Sequence, residues 1–157
     1  MPPRREAAGS ESEEVGLEQS AEYLLEEARM VLPGIQALFG FQLIAVFNSG
    51  FDQKLTEGDR RLHLVATALV AVAIALIMTP AAYHRQTGTR RVTADFIRLS
   101  SRLLVASLVS LAVALCLEFF LVGAIIAGRG LAIGAALGLL LVFAALWFGL
   151  PRARKRR

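Results

Sequence analysis

Apolar residues in this chain gather into four long blocks separated by short polar stretches, rather than recurring singly at a helix or strand period. The plainest block, residues 103–127, carries one ionisable side chain, Glu118, and at about 25 residues it is long enough to cross the hydrocarbon of a bilayer as one helix. Once that span is accepted, the blocks at about 30–48, 62–79 and 131–150 become candidate spans as well. The pattern predicts an all-α fold, an integral membrane four-helix bundle built from two antiparallel helical hairpins. Residues 1–16, rich in Glu, Ser, Gly and Pro, predict a disordered tail ahead of a membrane domain over 17–150, and residues 151–157 form a basic tail.

Local signals mark the ends of these blocks. Leu17, Ala21, Leu24, Leu25, Ala28 and Leu32 share one side of a helical pattern whose other side holds Glu18, Glu22, Glu26 and Arg29, as in a helix lying at the membrane interface. Pro33 removes a backbone donor and predicts a kink between that helix and the first span. Gln36 and Gln42 need partners in hydrocarbon and are expected to face other helices, while Gly34 and Gly40 would admit a neighbouring helix closely. Thr56 with Asp59 resembles a capping box at the end of the polar loop 49–61, and Pro80 marks the end of the second span. Thr93, with Asp95 in the first turn, is an N-cap for what should be the longest helix. Within it Ala106, Ser110, Ala114 and Glu118 recur every four residues, a stripe expected to face the bundle. Gly128-Arg129-Gly130 reverses the chain into a fourth span with a ridge of Gly130, Gly134 and Gly138, which Pro151 ends.

Composition agrees with a membrane class: of 157 residues, 55% are hydrophobic, and the mean hydropathy is +0.56. A net charge of +4 does not imply a nucleic-acid partner, because the basic residues sit beside the apolar blocks, where the positive-inside rule accounts for them. Arg4, Arg5, Arg29, Arg85, Arg90, Arg91, Arg98, Arg102 and the basic residues after Pro151 fall on one side, against Lys54, Arg60, Arg61 and Arg129 on the other. Both termini are therefore expected in the cytoplasm, with the chain in the inner membrane. The tail would attract anionic lipid without a dedicated lipid site. Cys116, the sole cysteine, lies within a span and reads as a small packing residue.

The chain has no phosphate loop, no HExxH and no Ser-His-Asp set, and His63 and His84 lie at opposite ends of one span, so no enzyme, cofactor or metal site is expected. The chemical candidate is Glu118, about 13 Å from the outer end of its span at 1.5 Å per residue. A carboxylate at that depth is costly, so the residue should stay protonated or hold a small cation, with Gln42, at similar depth, offering a hydrogen bond but no charge. On the cytoplasmic rim Glu27 and Arg29 should approach Tyr83, His84 and Arg85 in a polar cluster, Glu27 accepting from an arginine. Two functional readings follow: a structural or interaction protein of the membrane, and a proton-coupled cation antiporter acting as a homo-oligomer with Glu118 as the coupling carboxylate.

Glu27, Arg29, Gly34, Gln36, the run Leu38-Phe39-Gly40-Phe41, Asp59-Arg60, Pro80, Tyr83, His84 and Arg85 together form a pattern over residues 24–85. In these the chain resembles a bacterial family of small four-span inner-membrane proteins classed as a domain of unknown function, some of whose members are labelled sodium:proton antiporters. The resemblance implies the four-span fold. It does not extend to Glu118, since the second half matches in hydropathy alone.

Overall fold

The structure, a computed structural model, describes residues 4–87 and 93–154. Its helices are α1 (Arg4–Val46), a short α2 (Ser49–Lys54), α3 (Glu57–Thr87), α4 (Ala94–Ala127), α5 (Arg129–Ala144), a π-helical turn (Ala145–Gly149) and α6 (Leu150–Arg154). Among the described residues there is no strand. Four stretches, Gly16–Val46, Glu57–Gln86, Ala94–Ala127 and Arg129–Gly149, are long and apolar enough to cross a membrane. Phe41, Ile44, Ile126 and Leu141 stand exposed on their outer faces, an arrangement that suits lipid and not water.

Side-chain caps set several of the boundaries. Asn48 Oδ1 accepts from Gly50 N at the start of α2. At α3 the capping box is complete: Asp59 N donates to Thr56 Oγ1 (3.3 Å) and Thr56 N donates to Asp59 Oδ2 (3.1 Å). Thr93 Oγ1 accepts from Phe96 N and opens α4. Gly128, with φ 87°, makes the whole turn between α4 and α5, a backbone conformation that glycine adopts without strain.

The prolines and the N-terminal tail differ from the sequence expectation. Pro33, Pro80 and Pro151 all lie inside helices, so Pro80 and Pro151 are not the boundaries expected of them. Each forfeits one hydrogen bond, but Leu32, Ile35 and Leu38 around Pro33 are held by packing on both sides of it. Past Pro80, Tyr83 and His84 lean on the Phe96 ring of α4. Beside Pro151 the guanidinium of Arg152 bonds the Phe148 carbonyl at 3.1 Å. The segment expected to be disordered is helical from Arg4, which makes α1, at 43 residues, longer than α4 at 34; its Ala- and Glu-rich run consists of strong helix formers. Residues 1–3, and of the basic clusters Arg90, Arg91, Lys155, Arg156 and Arg157, lie outside the described residues.

The core forms where α1 lies against α3 and α4, around Ile35, Val70, Ala73, Ile77, Leu104, Leu111 and Ala114. Helix α5 packs along the outside of α4. On α4 the buried face is Ser100, Leu104, Ser107, Leu111, Ala114 and Leu121, and Ala106 of the expected stripe is exposed. A strict spacing of four drifts by about 40° per step, whereas alternating steps of three and four stay on one face.

Candidate functional site

Each core helix carries a polar residue on or beside its buried face, and these residues meet. On α3 the face His63, Ala66, Thr67, Val70, Ala73, Ile77 is buried along its length, so His63 is the continuation of a packing stripe. On α1, Gln42 follows buried Ile35 after two turns and is itself 4% exposed. On α4, Glu118 falls between buried Ala114 and Leu121.

Gln42 Nε2 donates to Glu118 Oε1 at 2.9 Å. His63 Nδ1 lies 2.9 Å from the same Oε1, with the two side chains 7% and 20% exposed. His63 Nε2 lies 3.0 Å from the Gln42 backbone carbonyl. A carbonyl only accepts, so Nε2 carries the hydrogen, and the tautomer is fixed by the network. Nδ1 and Oε1 can then share one hydrogen: on nitrogen the couple would be imidazolium and carboxylate, on oxygen neutral imidazole and carboxylic acid. Gln42 Oε1 is buried and among the described residues has no hydrogen-bond partner.

The couple lines an open cleft of about 290 Å³. Its other walls are Phe51, Lys54 and Leu55, from α2 and the residue after it, and Leu121 and Ile125 of α4. The Phe51 ring meets the His63 ring edge-on at 5.3 Å. Helix α2 is thus a short cover beside the couple, where the sequence alone suggested a plain loop.

Sequence reasoning placed Gln42 and Glu118 together but set His63 at the membrane edge. Its signal was present, as the 63, 66, 67, 70, 73, 77 spacing is helical. Gln36 is corrected: it is exposed on α1, because six residues turn the helix about 120° away from the Gln42 face. The glycines are corrected too. A Cβ at Gly34, Gly40, Gly130, Gly134 or Gly138 would meet nothing within 4 Å, and the close approach is made by Gly123, whose Cβ would lie 3.2 Å from that of Ala132.

A second polar cluster closes the same end of the bundle. Arg129 Nη2 bonds Asp59 Oδ1 and Oδ2 at 2.9 Å and reaches Thr56 Oγ1 at 3.3 Å. The α4–α5 turn is thereby tied to the capping box of α3. At the opposite end of α3 the expected rim cluster forms only in part. Arg29, His84 and Arg85 border one groove, but among the described residues no ion pair joins Glu27 to Arg85. Residues 27 and 29 point about 200° apart on a helix, so Arg29 faces the groove with Glu27 turned away. Tyr83 stacks on Phe96 at 5.9 Å.

Among the described residues no three His, Cys, Asp or Glu side chains converge on a point that would hold a metal ion. The profile of a family of unknown function, DUF6328, matches residues 10–151. No curated protein and no solved structure matches the chain.

Proposed function

Since the chain belongs to the DUF6328 family, of unknown function, we propose from its own geometry that it is a multi-pass inner-membrane protein with both termini in the cytoplasm. Its His63–Glu118 couple takes up and releases one proton in exchange for a small cation, and the protein acts as an oligomer. The observation that supports this reading is the 2.9 Å approach of His63 Nδ1 to Glu118 Oε1 at the wall of an open cleft. With the proton in place the couple is neutral and tolerates a low-dielectric bundle. Without it, a carboxylate faces a nitrogen lone pair, and the charge calls for a cation. Gln42 Oε1, buried and unpaired, is a second oxygen for such an ion. That alternation between proton and cation is the least an exchanger requires.

A structural role is the second reading, and a specific observation favours it: the same hydrogen bonds join α1, α3 and α4. Proton flux in vesicles of purified protein under an imposed sodium or potassium gradient separates the two. Exchange expects flux that Glu118→Gln abolishes while the protein stays folded. No flux from the wild type under either gradient, or full flux from the variant, leaves the structural reading standing.

A further inference from the structure

The far end of the α1–α3 interface holds a groove of about 350 Å³ that the proton couple does not touch. Its walls are apolar, with Leu25 and Leu32 on α1 and Ile77 and Met78 on α3. Its rim is basic, set by Arg29, His84 and Arg85. Among the described residues no acidic one lines it; Glu22 and Glu26 border a separate hollow on α1 that Arg29 also touches. Among the described residues neither Arg29 nor Arg85 has an ion pair or hydrogen bond, and His84 meets only the Phe96 ring.

We infer that this groove binds one anionic phospholipid, its phosphate against Arg29, His84 and Arg85 and an acyl chain along the apolar walls. The order of the surface carries the argument. Moving along α3 from Ile77 and Met78 to His84 and Arg85, apolar wall gives way to positive charge within about two turns, the sequence an amphiphile presents from chain to headgroup. A free anion would have no use for the walls. His84 and Arg85 lie in the last turn of a span-length helix, the level at which headgroups sit, and basic pockets between membrane helices suit anionic headgroups. The inference rests on the membrane reading, which alkaline extraction of membranes tests separately: a chain released by alkali overturns that reading itself.

Native mass spectrometry of the detergent-purified full chain with phosphatidylglycerol or phosphatidylcholine tests the site. The wild type should retain one phosphatidylglycerol roughly 30-fold more tightly than phosphatidylcholine, and Arg29→Gln/Arg85→Gln should lose the preference. Arg152→Gln/Arg154→Gln, in the basic tail, should keep it. Ala81→Phe fills the groove from an exposed position with both arginines intact, and should also lose the lipid, which keeps the test decisive if the double variant does not fold. Retention of the lipid by Ala81→Phe, or equal loss in the tail variant, overturns the inference. So does displacement of the lipid by millimolar inorganic phosphate, which would make the rim a site for the free anion.

Discussion

His63 Nδ1 stands 2.9 Å from Glu118 Oε1, and this contact joins two distant residues of the chain in one polar couple. Glu118 has a partner able to carry charge, where the sequence suggested only the amide of Gln42. The ring is held at its other nitrogen by a backbone carbonyl of α1, so the couple bridges α1, α3 and α4.

Removing either member should leave the other with an unpaired polar group in the bundle, a loss of about 1–3 kcal/mol. Glu118→Ala and His63→Ala are each expected to destabilise, and the double variant to cost clearly less than their sum. Unfolding in mixed detergent micelles measures all three. Strict additivity would mean that the contact is not made in the membrane.

The Thr56–Asp59–Arg129 clasp should show a definite order of effects. Thr56→Ala removes a cap worth about 1 kcal/mol, and Asp59→Ala removes both the cap partner and the acceptor of Arg129. Arg129 is 60% exposed, so Arg129→Gln should cost less than about 1 kcal/mol. Thermal unfolding in detergent is expected to rank Asp59→Ala first and Arg129→Gln last; the reverse order would mean that the ion pair, not the cap, holds this end.

Span number, the capping boxes and the Gly128 turn were legible because each is written locally: twenty apolar residues, a Thr-x-x-Asp, a glycine between two helices. Glu118 with Gln42 was legible through depth alone. His63 was missed because a histidine beside polar loop residues reads as a rim residue until the stripe below it is traced. Pro80 misled because proline is a helix breaker in water, whereas α3 continues past it to Thr87. The glycine ridge goes unused within the chain for another reason: a run of small residues states that a close approach is possible, not that one chain makes it with itself.

Topology is the third prediction. Four spans would return the chain to its starting side, and the excess of arginine in the termini and the α3–α4 connection predicts that this side is the cytoplasm. Reporter fusions after Arg157 and after Lys54 should report cytoplasm and periplasm respectively. A periplasmic signal from the C-terminal fusion, with all spans intact, would falsify the four-span arrangement.

The glycines supply the last prediction, since two sets of them are distinguished by a single distance. A Cβ at Gly123 would come within 3.2 Å of Ala132 Cβ, so α4 and α5 must yield by a few tenths of an ångström for alanine and much further for leucine. Gly123→Leu should therefore detach α5 from α4 and lower the unfolding midpoint. Gly134 and Gly138 face open space within the chain, so leucine there should leave the unfolding of the monomer unchanged, while alanine stabilises by up to about 1 kcal/mol through helix propensity. Cross-linking in native membranes completes the test. If the oligomer uses the ridge, Gly138→Leu abolishes the cross-linked species with the monomer's stability intact; if it survives, the second copy docks elsewhere. A monomer destabilised by Gly138→Leu as much as by Gly123→Leu would show that α5 lies with its ridge, not its Ala132 face, against α4.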